Sequence, residues 1–148
     1  MTQDEWRKLF HEWFSSPHPR IHHFSAGELL AKTDKGRNTI PPIALWCNIL
    51  PTIQVLDAVR RDLGYPLHIN SCFRNPQYNK DIGGATKSMH MKFNAIDFSA
   101  KRGSPEEWFA AVINQRSNGM EVGGVGLYDS FVHVDTRTLW KGRKFATW

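Results

Sequence analysis

The chain has 148 residues, 41% hydrophobic and 22% charged, with a formal charge of +5 and a pI near 9.4. These values fit one globular domain over residues 1–148 and exclude a disordered chain, and no apolar run approaches bilayer length. The positive balance suits an anionic partner, but the basic residues are scattered singly or in pairs, without the basic and aromatic stripe of a nucleic-acid surface.

The opening MTQDEWRKLFHEWF carries charges throughout, so it does not read as a secretory signal. Trp6, Leu9, Phe10, Trp13 and Phe14 fall at helical spacing and predict an amphipathic helix over residues 4–14, within an N-terminal segment 1–20. SPHPR breaks that helix and, with IHHF, forms a connector. In FSAGELL, Ser25 and Glu28 have the capping-box spacing that starts a short helix. Pro41 and Pro42 open a longer helical run, Pro51 either kinks it or starts a second helix, and Gly64 closes it in a left-handed cap.

PLHINS reads as a short strand, and residues 72–89, rich in Asn, Gly, Lys and Ser, as a long ordered loop. FNAIDFS alternates as a strand. Ser104, Pro105 and Glu107 start a helix that runs to Arg116. VGGVGLY and FVHVDTR pair as strands through a tight turn at Asp129 and Ser130, and LWKGRKFATW either adds an edge strand or packs loosely. Helices first and a small antiparallel sheet afterwards make the fold α+β, with the sheet flanked by helices. Cys47 and Cys72 lack metal-type spacing and read as reduced thiols.

Strand parity brings chemistry-bearing residues together. In FNAIDF, Ile96 and Phe98 share one face and Phe93, Ala95 and Asp97 the other. In FVHVDTR, Val132 and Val134 oppose Phe131, His133 and Asp135. With the valines and Ile96 toward the core, Asp97, His133 and Asp135 point into one cleft. His90, seven residues before Asp97, would stand on the wrong face of a single strand. On one helix the two would be about 10 Å apart along the axis, too far to share an ion. A loop-borne histidine leading into a strand-borne aspartate is the workable geometry. Two histidines, one carboxylate and an open position describe a catalytic zinc site, and the mixed donors argue against a structural one built on thiolates. The plain alternative is a polar pair bordering a buried strand.

The surrounding motifs carry a resemblance. Ser71 to Arg74, Asn79, Gly83-Gly84, Ser88, His90, Asp97, Gly124-Val125-Gly126, Tyr128, His133 and Asp135 follow one another in the order seen in zinc D-alanyl-D-alanine carboxypeptidase-like murein peptidases. The similarity spans residues 22–137 and leaves 138–148 as a C-terminal extension. It implies the fold shared with the hedgehog signalling domain, with a Zn2+ site in a cleft on the sheet. It further implies His90, Asp97 and His133 as zinc ligands and Arg74, Ser88 and Tyr128 as substrate contacts. Arg74 as a loop-stapling group and Gly83-Gly84 as ordinary turn chemistry are the plain readings beside these.

The chain departs from the family pattern twice. Phe93 stands where glycine is usual, and a bulky ring there is expected to narrow the cleft or tilt the strand. Ser130 stands where several members carry an acidic general base, and serine does not take up a proton at neutral pH. Asp135 and Asp129 remain as candidate proton acceptors, with an orienting role for Asp135 and a turn-forming role for Asp129 as their alternatives.

The resemblance implies a zinc metallopeptidase, monomeric and without membrane insertion, acting on peptidoglycan stem or cross-link peptides as a carboxypeptidase or endopeptidase. No nucleic-acid partner is expected. Without a signal peptide, the protein is expected to be made in the cytoplasm and to reach the cell wall as phage-type endolysins and virion enzymes do, or by another export route. The alternative is a catalytically inactive, zinc-containing wall-binding module of the same fold.

Overall fold

Short polar residues decide where the first helices start. In the computed structural model, which describes residues 1–16 and 21–148, Thr2 accepts a hydrogen bond from the Glu5 N–H and Glu5 accepts one from the Thr2 N–H. That pair opens α1 (Gln3–Phe14), and Ser25 with Glu28 repeats it ahead of α2 (Ala26–Leu29). The predicted SPHPR connector falls on residues 17–20 beyond Ser16 and lies outside the described residues. Phe10 of α1 is fully buried, its ring edge-on to Trp46 at 5.3 Å.

The run after Pro42 begins as a 3-10 turn, Ile43–Asn48, and continues as α3 (Ile49–Leu63). Pro51 stands in the first turn of α3, where its missing N–H has no helical partner to lose. Gly64 ends the helix in the left-handed conformation at φ 76°. Ile49, Ile53, Leu56 and Val59 form the fully buried face of α3. Helix α4 (Pro76–Asp81) interrupts the stretch expected to be loop: Asn75 Oδ1 accepts from the Tyr78 N–H at 2.7 Å, and Pro76 takes the first helical position. The polar composition of residues 72–89 conceals that cap. Helix α5 (Pro105–Ser117) is capped by Ser104, as predicted, and packs beside α3.

The sheet contains β1 (Leu67–Ser71), β2 (Ala95–Ala100), β3 (Gly124–Leu127), β4 (Val132–Asp135) and β5 (Ala146–Thr147) in the order β1-β2-β4-β3-β5. All pairings are antiparallel except β3 with β5, so the sheet is mixed at one edge rather than wholly antiparallel. The chain leaves β4 through a 3-10 turn at Arg137–Leu139 and returns beside β3, which makes the last strand parallel. Ile96, Phe98, Val125, Val132 and Val134 are fully buried in the core, as their parity requires. The fold is α+β, a five-stranded sheet flanked by helices.

Phe93 corrects one expectation. It precedes β2 rather than belonging to it, closing the 3-10 turn Met89–Lys92 with φ 54°, so strand parity does not apply. Its ring is fully buried against Phe10 at 5.8 Å and Phe73 at 5.9 Å, in the core and not in the cleft. Glycine is usual at this position because the backbone is left-handed there. A bulky residue bears a cost of about 1–2 kcal/mol in that conformation. Burial of the ring outweighs it, since deleting a core phenylalanine costs about 3–5 kcal/mol. Phe93→Gly removes strain and ring together and is expected to lower stability by about 1–4 kcal/mol in denaturant unfolding. A variant as stable as the parent would show that the ring contributes no more than the strain it imposes.

Candidate metal centre

The register of two adjacent strands sets the site. In the β2–β4 pair Asp97 stands directly opposite His133, and both side chains leave the same face of the sheet. His90 arrives from the 3-10 turn Met89–Lys92, a more ordered element than the loop expected for it. The turn is held by Ser88, whose Oγ accepts from the His90 N–H at 3.2 Å. His90, Asp97 and His133 are all buried, and one donor atom from each lies within 4.8 Å of the others.

The hydrogen bonds fix which atoms face the centre. His90 Nδ1–H donates to the Cys72 carbonyl at 2.6 Å, which leaves Nε2 facing Asp97 Oδ1 at 3.2 Å. His133 Nε2–H donates to Asp135 Oδ2 at 2.7 Å, which leaves Nδ1 facing the same Asp97 oxygen at 2.9 Å. His90 Nε2, His133 Nδ1 and Asp97 Oδ1 therefore converge on one point. A positive charge at that point, whether a proton on His133 or a metal ion between the three atoms, is attracted by Asp97.

The electrostatics agree. Burial pushes the Asp97 carboxyl up, yet His90 and His133 beside it hold it far below the usual carboxylate range. Burial also opposes charge on His133, but the Asp135 and Asp97 carboxylates flanking the ring raise its affinity for a proton above the ordinary value. For His90 burial prevails over the attraction of Asp97, so the ring is held neutral with a free lone pair. The point favours positive charge, and the donor set of two imidazoles and one carboxylate fits zinc.

Asp135 lies on the same sheet face as His133 but does not line the cleft. It is fully buried, and both its oxygens are engaged: Arg137 donates from Nε to Oδ1 at 3.0 Å, from Nη2 to Oδ2 at 2.8 Å and from its backbone N–H to Oδ1 at 2.9 Å. Gly124, opposite Asp135 on β3, leaves room for this pair, since a Cβ there would stand 2.6 Å from Asp135 Oδ2. The next glycine, Gly126, makes similar room for the Trp148 indole, which packs 5.2 Å from the His133 ring. The Gly-x-Gly motif thus clears space for the supports of His133.

A cleft of about 580 Å³ opens over the donors. Of the residues expected to contact substrate, Arg74, Ser88 and Tyr128 all line it. Arg74 donates from Nη2 to Asp97 Oδ2 at 3.3 Å, while its buried Nε has no partner among the described residues. Tyr128 stacks on Phe131 at 4.3 Å and accepts from Trp148 Nε1–H at 2.7 Å. Asp129 and Ser130 are exposed and do not line the cleft. Gly83 turns at φ 71° after α4, and Gly84 packs where a Cβ would overlap the Asn79 side chain, so that pair serves the turn.

Among the cleft residues that escaped sequence reading are Lys87, Arg137, Arg143 and Trp148. Only the two-residue step from Asp135 to Arg137 offered a signal, as an acid–base pair beside a candidate ligand. Trp148 arrives through β5, whose pairing with β3 has no local pattern.

A family model described as Peptidase M15 matches residues 22–135, more than half of the chain, including all three convergent donors. Peptidases of that family are zinc-dependent. No curated protein matches the chain.

Zinc that binds only the folded protein must stabilise it. At about a hundred times its Kd, zinc added to metal-stripped protein is expected to contribute about 2.7 kcal/mol, raising Tm by roughly 5–10 °C for a chain of this size. His133→Ala should abolish most of the rise in a thermal melt. An undiminished rise in that variant would remove His133 from the site.

Proposed function

The chain belongs to the peptidase M15 family, and from that premise we propose that it is a zinc-dependent peptidase hydrolysing stem or cross-link peptides of peptidoglycan. The observation that carries this reading is the convergence of His90 Nε2, Asp97 Oδ1 and His133 Nδ1 at the floor of an open cleft that Arg74 also lines. In this reading those three atoms hold zinc. When bound, zinc supplies a Lewis acid for the scissile carbonyl and makes water acidic enough to attack near neutral pH.

The chain's own residues supply the rest. Asp135 fixes the tautomer and angle of the His133 ring through Nε2–H, and Arg137 holds Asp135 in place. Arg74, whose Nε is unpartnered, presents N–H groups to the substrate's carboxylate or to the carbonyl under attack. Ser88 accepts from the His90 N–H and keeps its hydroxyl hydrogen for the substrate. Tyr128 and Phe131 form a flat apolar wall for the peptide. The protein acts as a monomer on wall peptides after synthesis in the cytoplasm, reaching them through a lysis pore, on a virion or by another export route.

One observation favours the second reading, an inactive wall-binding module. Among the described residues, Asp97 is the only carboxylate lining the cleft. Asp135 has both oxygens committed, which suits orientation better than proton transfer, and Asp129 is out of reach of the cleft. Incubation with purified muropeptides followed by mass spectrometry separates the readings and identifies the bond. Fragments that require zinc support the peptidase, whereas bound but intact muropeptides support the module.

The role of Asp135 gives a sharper expectation. Asp135→Asn should weaken zinc binding roughly 10–100-fold, with activity recovering as zinc is added. Unchanged zinc affinity together with activity lost about a hundredfold or more, and not restored by zinc, would make Asp135 the proton acceptor.

A further inference from the structure

The positive charge of the cleft is unevenly compensated. Arg74, Lys87, Arg137 and Arg143 line the metal cleft. Arg74 is paired with Asp97 at 3.3 Å and Arg137 with Asp135 at 2.8 Å. Lys87 and Arg143 have no carboxylate partner among the described residues. Arg143 donates from Nη2 to the Lys87 backbone carbonyl at 3.0 Å and to Met89 Sδ at 3.4 Å, which fixes its guanidinium on the Lys87–Met89 segment. This corner adjoins a second cleft, of about 410 Å³, whose walls share Lys87, Ser88 and Arg143 with the first and add Lys92 and Thr86. Among the described residues none of its lining side chains is acidic.

We propose that this second cleft is an anion subsite continuous with the metal cleft, which takes a carboxylate of the bound peptide other than the one at the scissile bond. The proposal deepens the peptidase reading and rests on it for the identity of the ligand. Three cations and two hydroxyls around a pocket of side-chain size match a carboxylate on an arm of the substrate. Placement of Lys87 and Ser88 on the three-residue approach to His90 ties occupancy of the subsite to the position of the peptide over the donors. Arg143 lies beyond the residues matched by the family model, so this wall belongs to the chain's own C-terminal segment.

The test compares one muropeptide with its side-chain carboxylates free or amidated, measuring Kd by titration calorimetry and kcat/KM by mass spectrometry. The parent protein should prefer the free-acid form by about tenfold to a hundredfold. Arg143→Gln and, separately, Lys92→Gln should each lose much of that preference because the acid form binds less well. Lys92 is exposed, so its variant tests the subsite even if Arg143→Gln disturbs the C-terminal segment. Equal binding of the two forms by the parent, failure to bind either, or a preference kept by both variants would overturn the proposal. So would inorganic polyphosphate binding more tightly than the acid form and losing that binding in the same variants, which would assign the face to a phosphate polymer. A preference in Kd without any hydrolysis leaves the subsite standing and removes the peptidase reading. Hydrolysis without preference does the reverse.

Discussion

Across the β2–β4 pair, a carboxylate and an imidazole face each other, and a second imidazole faces the same oxygen. Buried polar groups packed this closely are costly unless each is held in a fixed orientation. The arrangement persists because each histidine is tied on its far side: His90 Nδ1–H to the Cys72 carbonyl, His133 Nε2–H to Asp135. Those outer hydrogen bonds orient the two rings and aim the inner nitrogens at Asp97. Most of what surrounds the site can be traced to keeping the outer partners in place.

On one side the supporting partner is backbone, and it depends on the position of residue 72 at the end of β1 beside the turn that carries His90. The left-handed conformation of Phe93 ends that turn and lets the chain enter β2 two residues later, with Asp97 on the correct face. A local strain is thus offset by an aromatic cluster that also fastens α1 to the core. On the other side the partner is Asp135, whose charge would be costly in the interior without Arg137. Two glycines on β3 leave the volume that this ion pair and Trp148 occupy.

The parts of this arrangement that were legible in the sequence are those governed by short-range periodicity. Alternation in FNAIDF and FVHVDTR located Asp97 and His133 on a common face, apolar spacing located α1, and capping residues located α2 and α5, because each of these depends on neighbours a few residues away. The failures have equally specific causes. Asn75-Pro76 is a helix start embedded in a polar stretch, and composition obscured it. Phe93 was extrapolated from a strand that begins two residues later, at Ala95. Asp135 shares a face with Asp97 and His133, but parity could not reveal that Arg137 closes over it. The edge strand β5 is one of the two outcomes expected of LWKGRKFATW, but its parallel pairing is decided by the path of the whole C-terminal segment.

That segment changes how the site should be understood. The residues matched by the family model contain the donors, their outer partners Cys72 and Asp135, and Arg74. Beyond them, Arg137 neutralises Asp135 and Trp148 lies over its guanidinium at 4.8 Å while also packing on His133. Arg143 forms a wall shared by the two clefts. Part of the site's surroundings, Arg137, Arg143 and Trp148, therefore comes from a different stretch of chain than the donors. Donor atoms must hold an ion within a few tenths of an ångström and tolerate little change, whereas a wall contributed by a parallel edge strand can alter charge and shape without moving them.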